Sequence, residues 1–167
     1  MNEIKSTIIK GIAVSPGIAI GRAHVLEPEE LHVGEREIRD DEVEGEIQRL
    51  RSALTSTRKE IEEIRETIRA ELGDEHASIF EAHLMILDDV IAIKATEKAI
   101  REEKKNVEFA YRRTLSKIAE EIDVAQDEHF RNTASDIRDV KRRVLRHLLG
   151  KPRRSLDGLE GQVVLIA

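Results

Sequence analysis

The 167-residue chain has no cysteine, no tryptophan and three prolines, and aromatic residues make up only 2 % of it. Without cysteine the chain can form no disulfide and offers no thiolate as a metal ligand or nucleophile. No apolar run approaches the roughly 18 residues that a membrane-spanning helix needs, and the first residues lack the apolar segment of a signal peptide. We therefore expect a cytoplasmic protein with no membrane partner.

Charged residues are abundant instead, at 37 %, and the net charge is −6. Acidic and basic side chains alternate along the chain, which argues against a nucleic-acid partner and favours a basic protein partner. Scarce aromatics together with many Glu, Lys, Arg, Ile and Leu residues are typical of long amphipathic helices. The composition therefore predicts a mainly α protein.

The spacing of apolar residues divides the chain into three segments. Residues 1–36 include a Gly-rich, β-branched stretch that predicts two short strands around a Ser15-Pro16-Gly17 turn. Residues 37–150 show helical periods and predict four to five helices. Residues 151–167 end in an apolar run that predicts a buried strand. We expect the helices to be inserted in a truncated α/β domain whose two ends pair in a small sheet, within a longer parent protein.

Heptad-like spacing over some thirty residues predicts one long first helix. The apolar residues of this seam are Val43, Ile47, Leu50, Leu54, Thr57, Ile61, Ile64, Ile68 and Leu72. We expect Gly73 to end this helix and Asp74 to cap the next one, because glycine favours a helix C-terminus and aspartate an N-terminus.

Further capping residues predict where the later helices begin. Asp88 or Asp89 would cap a short helix that runs to about Lys104, and Asn106 would cap the next. Asp127 would open the last helix, which would stop at Gly150 and Pro152. The residues predicted to be buried on these two last helices are Val107, Tyr111, Leu115, Ile118, Ile122, Phe130, Ala134, Ile137, Val140, Val144 and Leu148.

The helix after Gly73 carries more apolar residues than one core-facing stripe requires. At about 100° per residue, one side carries Phe80, Leu84, Leu87 and Ile91. A second side carries Ile79, Ala82, Ile86 and Val90, with His83 between the two sides and Met85 on the flank. Such a helix is either buried in a bundle or keeps one side for a partner.

Motifs that would indicate chemistry are absent. Neither common Gly-rich phosphate loop occurs, and no two of the six histidines have the i, i+3 or i, i+4 spacing of a helical metal site. Adjacent carboxylates are frequent but indicate solvated helix faces. From residues alone we predict a helical interaction module with no metal site and no cofactor.

Three segments resemble the Enzyme I family of the bacterial phosphoenolpyruvate–sugar phosphotransferase system. Ser15-Pro16-Gly17-Ile18-Ala19-Ile20-Gly21 is similar to the family's Ser-Pro-Gly-x-Ala-x-Gly opening. The stretch from Gly73 to Asp89 is similar to its second helix region, and Asp136-Ile137-Arg138-Asp139-Val140 resembles its Asp-Val-Arg-Asp segment. The resemblance implies an α/β phosphohistidine domain interrupted by a helical arm that binds the phosphocarrier protein HPr.

The resemblance also implies which residues meet HPr. The positions that match the family's contacts are Glu75, Ile79, Ala82, His83, Met85, Ile86 and Arg138. His83 could instead be a helix-face histidine that hydrogen-bonds a neighbouring acid. If the second side serves a partner, we expect Ile86 to be exposed in the free protein and Leu84 to lie in the core.

The resemblance places the chemistry outside this chain. The family's phosphohistidine lies in a Gly-Gly-x-Thr-Ser-His segment, which does not occur here, so we expect no catalytic residue before Ala167. The parent would be a phosphoenolpyruvate-protein phosphotransferase that uses Mg²⁺, dimerises through its C-terminal region and serves sugar uptake. Alternatives are a nitrogen-regulatory paralogue, a dihydroxyacetone-kinase phosphotransfer subunit or a non-catalytic helical scaffold.

Overall fold

The structure is a computed structural model that describes residues 8–12, 15–25, 31–124, 128–151 and 161–166, with the backbone alone at 128–131. The chain forms two compact units, a helical unit (Glu30–Arg154) and a strand unit (Met1–Glu29 with Ser155–Ala167). The elements are β1 (Arg22–Val25), a 3₁₀ turn (Asp40–Glu42), α1 (Val43–Leu72), α2 (Asp74–Ala77), α3 (Ile79–Leu87), α4 (Val90–Glu103), α5 (Val107–Asp123), α6 (Glu128–Leu148) and β2 (Val163–Ile166).

Helix α1 follows the predicted seam. Its first two-thirds bury the seam residues, with Leu50 and Ile61 at 0 % exposure, whereas Leu72 at its end is 57 % exposed. Thr57, the one polar member of the seam, is also fully buried. Gly73 ends the helix at a φ of 90°, a conformation that glycine adopts without the strain of a Cβ atom. The predicted helix and its C-terminus are therefore confirmed.

The remaining long helices close one core against α1. Helices α5 and α6 pack along each other, and both contact α1, while α3 and α4 cover the remaining sides. Buried residues of α5 and α6 include those predicted from periodicity: Val107, Tyr111, Leu115, Ala134, Ile137, Val140, Val144 and Leu148. Ile118 and Ile122 are partly buried against the same core. The side chain of Phe130, Asp127 and Pro152 lie outside what the structure describes.

The predicted caps have mixed outcomes. Asp89 caps α4, because its Oδ1 accepts hydrogen bonds from the backbone N–H groups of Ile91 (2.7 Å) and Ala92 (3.1 Å). The prediction that Asp74 caps α2 is wrong, since Gly73 occupies the cap position and Asp74 pairs with Arg69 at 2.8 Å.

Asn106 occupies the cap position of α5, but the prediction that its side chain caps the helix is wrong. The side chain instead accepts from the Arg36 N–H and donates to Glu108. The N–H of Val107 is satisfied by Oε2 of buried Glu46 on α1, at 2.7 Å. Glu46, 61 positions away in sequence, therefore accepts the hydrogen bond that the local sequence had assigned to the side chain of Asn106.

In the strand unit, β1 and β2 pair in parallel, with Arg22 opposite Val163 and Val25 opposite Ile166. The predicted pairing of the two ends is confirmed. The second strand predicted near the start is not found, because β1 is the one strand among described residues 8–12 and 15–25. Gly17 has a φ of 144°, the positive value expected of a glycine after Pro16.

The helical unit begins earlier than the predicted boundary between residues 36 and 37. Val33 and Ile38 are buried in the helical core, and the backbone of Arg36 exchanges hydrogen bonds with Asn106. Within the described part of the chain, no helix is long and apolar enough to span a membrane.

Candidate partner-binding surface

Helix α3 is short, and one or two residues separate it from the helix on each side. Ser78 separates it from α2, and Asp88 and Asp89 separate it from α4. Its core-facing side contains Leu87, which is buried, and Phe80 and Leu84, which are partly buried against the core. This part of the predicted inner side is confirmed.

The corner formed by α3 and the start of α4 exposes four apolar side chains. They are Ile79 (53 % exposed), Met85 (70 %), Val90 (58 %) and Ile91 (78 %), and we call them the corner surface. Large apolar side chains exposed on adjoining helical segments indicate a site for a protein partner. Three of the four were assigned from the sequence to the second side of the helix or to its flank, the part predicted to be available to a partner. They are Ile79, Met85 and Val90.

The prediction for Ile91 is wrong. Periodicity placed it on the inner side of α3 with Leu87, but the chain leaves α3 at Asp88 and begins α4 at Val90. Helix α4 has its own direction and rotation, so counting 100° per residue from α3 does not give the faces of residues in α4. The cap at Asp89 was the signal in the sequence that could have shown this.

Ala82 and Ile86, also predicted to meet the partner, are half-buried. Ile86 packs against the same hydrophobic core as Leu84. The expectation that Ile86 is exposed is therefore wrong, whereas Leu84 packs against the core as expected. Helix α3 contacts both α1 and α6, so two of its sides are covered. An aspartate at either position would disturb the fold.

His83 is buried, with 6 % of its surface exposed. Its Nε2 lies 3.4 Å from Oδ1 of Asp136 on α6, and its ring packs edge-on against Phe80 with centroids 5.8 Å apart. Neither ring nitrogen makes a hydrogen bond to a described residue, although Asp136 is the acid beside it. His83 therefore lies at the contact between α3 and α6, where little of its surface is accessible.

Arg138 faces a different neighbour. Residues two apart on a helix project about 200° apart, so Asp136 can face α3 while Arg138 faces α5. The Arg138 guanidinium donates to Oδ2 of Asp123 at the end of α5. No described contact joins Arg138 to the corner surface, whereas Glu75 is exposed on α2, the helix directly before α3.

Carboxylates surround the corner surface. Glu75, Glu81, Asp88 and Asp89 are all exposed. Asp88 forms an ion pair with Arg58 of α1, and Asp89 is held by its capping bonds. A groove of about 590 Å³ adjoins the corner at Ile91 and runs between α4 and α5 over Ala95, Ala99 and Ile118. The exposed apolar side chains suit a partner with an apolar contact patch, and the groove beside them carries charged side chains of both signs.

Among the residues that the structure describes, no cluster of three or more His, Asp or Glu side chains could hold a metal ion. Sequence reasoning missed the exposure of Ile91 and the position of Asp136 beside His83. Asp136 was visible only as part of a motif, since its proximity to His83 depends on how α3 packs against α6.

The sequence matches a family model described as PEP-utilising enzyme, N-terminal, over residues 10–132. It is 42 % identical over 159 residues to a phosphoenolpyruvate-protein phosphotransferase of Priestia megaterium and 37 % identical over 166 residues to that of Geobacillus stearothermophilus. These alignments cover 95 % and 99 % of this chain but 27 % and 28 % of the relatives. The chain therefore spans little more than a quarter of their length.

Two solved structures are similar. The NMR solution structure of Enzyme I (nEIt) aligns with a TM-score of 0.81 at 38 % identity and covers 95 % of this chain and 64 % of that one. The N-terminal domain of Enzyme 1 - Nitrogen aligns with a TM-score of 0.70 over 91 % of this chain and 61 % of that one, and at 23 % identity it supports the fold alone. The resemblance and the mainly α fold predicted from the sequence are confirmed. Because the family model covers more than half of it, the chain belongs to the family of PEP-utilising enzyme N-terminal regions.

Proposed function

We propose that this chain is the part of a phosphoenolpyruvate-protein phosphotransferase that binds the phosphocarrier HPr, and that the corner surface is its docking site. The observation that carries the proposal is the exposure of Ile79, Met85, Val90 and Ile91 in a unit that buries most other large apolar residues of its helices. The resemblance to Enzyme I supplies HPr as the partner, and the confirmed family membership supports it.

In this proposal the phosphotransfer chemistry belongs to the whole protein. The curated relatives are named phosphoenolpyruvate-protein phosphotransferases, and this chain covers about a quarter of them. Mg²⁺ would be bound elsewhere in the whole protein, since the described residues offer no cluster for a metal ion. We assign dimerisation and sugar-uptake phosphotransfer to the whole protein as well. What this chain contributes is recognition of the phosphate acceptor.

Two kinds of contact would hold the partner. Burial of the four corner side chains would supply most of the affinity, because apolar area removed from water is worth roughly 25 cal/mol per Å². The carboxylates around the corner would speed association with a basic partner and orient it, more than they would strengthen binding. His83 and Asp136 would act indirectly, by keeping α3 in place against α6.

Met85→Asp tests the docking site. Met85 is 70 % exposed, so a charge there should leave folding unchanged while placing an unpaired carboxylate in the interface. We expect binding of purified HPr to weaken by at least about tenfold, or about 1.4 kcal/mol. Isothermal titration calorimetry on wild type and variant measures this, with thermal melts to show that the variant is folded.

The matched control is Ser52→Asp, which adds the same charge at an exposed position of α1 beside His147 and Leu148 at the end of α6. Its affinity for HPr should equal that of the wild type. If Met85→Asp and Ile79→Asp both bind HPr as tightly as Ser52→Asp does, the docking site lies elsewhere. If the wild-type chain does not bind HPr at all, the proposed partner is wrong.

A further inference from the structure

Met85 is the one sulfur-containing residue among those that the structure describes. The chain has two methionines and no cysteine, and the other methionine, Met1, lies outside the described residues. A thioether is polarisable and is readily oxidised to a sulfoxide. Oxidation of sulfur within the described residues therefore has a single target, and that target belongs to the corner surface.

Met85 is accessible to reagents dissolved in water. Its exposed fraction is 70 %, compared with 3 % for Leu87 two residues later. Helical side chains lean toward the preceding turn, where Ala82 and Glu81 stand three and four residues before Met85. The side chain of Ala82 is a single methyl group, and Glu81 is itself exposed. This turn therefore leaves the thioether open to a small oxidant.

Met85 also lies away from the buried side of α3. His83 and Leu87, two residues before and after it, are buried, with exposed fractions of 6 % and 3 %. Residues two apart on a helix project about 200° apart, so Met85 faces away from both. A polar group at this position remains in water in the free chain, and the packing of α3 against α1 and α6 stays as it is.

We propose that Met85 is a site of oxidation by hydroperoxides, and that the sulfoxide weakens binding of the partner at the corner surface. The inference rests on the proposed function, because only a partner that covers Met85 would sense the change. The sulfoxide oxygen accepts hydrogen bonds from water in the free chain and loses them in an apolar contact. The oxidised side chain therefore opposes docking without opposing folding.

The oxidation balances with hydrogen peroxide as the oxidant. A lone pair of Sδ attacks one peroxide oxygen, an S–O bond forms and the O–O bond breaks. The sulfur is oxidised by two electrons, and the departing oxygen takes them as hydroxide. That hydroxide gains the proton that the sulfur-bound oxygen gives up, so the products are methionine sulfoxide and water. Methionine sulfoxide reductases reverse the change with electrons from thiols.

The reactivity of Met85 is measured by treating the full chain with excess hydrogen peroxide and following the peptides by mass spectrometry. N-acetylmethionine amide in the same solution provides the rate of a fully exposed thioether. Because the rate of oxidation follows exposure, we expect Met85 to react at least about half as fast as this compound. Far-UV circular dichroism and thermal melts should be the same before and after oxidation.

The effect on docking is measured after the peroxide has been removed, so that HPr itself is never exposed to it. We expect oxidised chain to bind HPr at least about fivefold more weakly than untreated chain in isothermal titration calorimetry, because docking must dehydrate the sulfoxide. Treatment with methionine sulfoxide reductases specific for each of the two sulfoxide epimers should restore the original affinity. Met85→Gln, which places a permanent polar group at this position, should bind more weakly than untreated wild type.

Met85→Leu is the matched control, since leucine is apolar and has no sulfur to oxidise. Whatever its own affinity for HPr, peroxide should leave that affinity unchanged. An equal loss in peroxide-treated Met85→Leu would place the sensitive group elsewhere in the chain and overturn the proposal.

Docked HPr should in turn protect Met85. At a saturating concentration of HPr we expect oxidation of Met85 to slow at least about threefold, because a side chain covered by an interface is no longer accessible. Met1 in the same digest reports whether HPr has depleted the oxidant. Slowing of both methionines to the same extent would be depletion, and it would count against a partner that covers Met85.

Three outcomes separate this proposal from the proposed function. Oxidation of Met85 at less than about a tenth of the rate of the reference compound would overturn its assignment as an oxidation site. Equal affinity of oxidised and untreated chain for HPr would overturn the regulation and leave the proposed function standing. If untreated chain does not bind HPr, the proposed function is wrong and the regulation is overturned with it.

Discussion

The helical unit buries most of its large apolar side chains, whereas the strand unit leaves several of its own exposed. In the helical unit the seam of α1 and the inner faces of α5 and α6 are buried, several of them completely. In the strand unit Ile8, Ile12 and Ile18 are 88 %, 94 % and 94 % exposed. Helices satisfy their backbone groups internally and need only side-chain packing, whereas a two-stranded sheet has two outer edges and little area to cover. The stability of this chain therefore resides in its helices.

The largest expected effect on stability comes from truncating a leucine of the helical unit, with a leucine of the strand unit as the comparison. Leu50 of α1 is fully buried and Leu165 of β2 is 46 % exposed. Leu50→Ala should cost about 2–5 kcal/mol, the usual range for a buried leucine, while Leu165→Ala should cost less than about 1 kcal/mol. Chemical denaturation followed by far-UV circular dichroism measures both. Equal losses would show that the two units share one cooperative core.

An intermediate effect on stability comes from the charged cluster around Glu60, which joins α1 to α6. Glu60 accepts from Arg143, from Arg146 at 3.3 Å and from His147 at 2.9 Å. Burial works to raise the pKa of Glu60, but the hydrogen bond from His147 and the charges of Arg143 and Arg146 outweigh it and lower that pKa below 4.5. Because the folded-state value is the lower one, this stabilisation is present above pH 4.5 and is lost as the pH falls below it.

Glu60→Gln should therefore lower stability by about 1–3 kcal/mol at pH 7 and flatten the decline in stability between about pH 5 and pH 3. Denaturation curves across that range give the slope. Glu63→Gln is the control, since Glu63 is 67 % exposed and its pairing with Lys59 should contribute less than about 1 kcal/mol. An unchanged slope in Glu60→Gln would mean that acid sensitivity arises outside this cluster.

The smallest expected effect on the helices comes from the strand unit. A Cβ atom on Gly21 would lie 2.5 Å from the carbonyl oxygen of Gln162, the atom that accepts from the Arg22 N–H. Gly21→Ala should open the β1–β2 pairing and speed hydrogen exchange of the β1 amides, while the helical melt changes by less than about 0.5 kcal/mol. Gly11→Ala, with no atom within 4 Å of the added methyl group, should change neither. A large shift of the helical melt in Gly21→Ala would contradict the independence of the two units.

Local periodicity predicted most of the helical unit, because each residue of a straight helix has a face fixed by its position in sequence. The seam from Val43 to Ile61 and the buried faces of α5 and α6 followed from this alone. The cap of α4 by Asp89 followed too, since its bonds reach only two and three residues ahead.

Features that depend on the packing of one helix against another were not predicted from the sequence. The rotation between α3 and α4 exposes Ile91, and α6 covers His83 with Asp136 beside it. In the same way Glu46, far away in sequence, replaces Asn106 as the acceptor for α5. Of the α2 and α3 residues predicted to meet a partner, Glu75, Ile79 and Met85 are therefore exposed, while His83 is buried and Ala82 and Ile86 are half-buried.

The pairing of Arg22 with Val163 has a consequence for the order in which the chain is made. These partners are about 140 residues apart, and ribosomes add roughly 5–20 residues per second, so β1 waits on the order of ten seconds for β2 to be synthesised. Bringing together the ends of so long a flexible segment costs about 4 kcal/mol of loop-closure entropy, which prior folding of the helices can reduce. During that interval the backbone groups of β1 have no strand to pair with, and an unpaired strand edge favours aggregation with other chains.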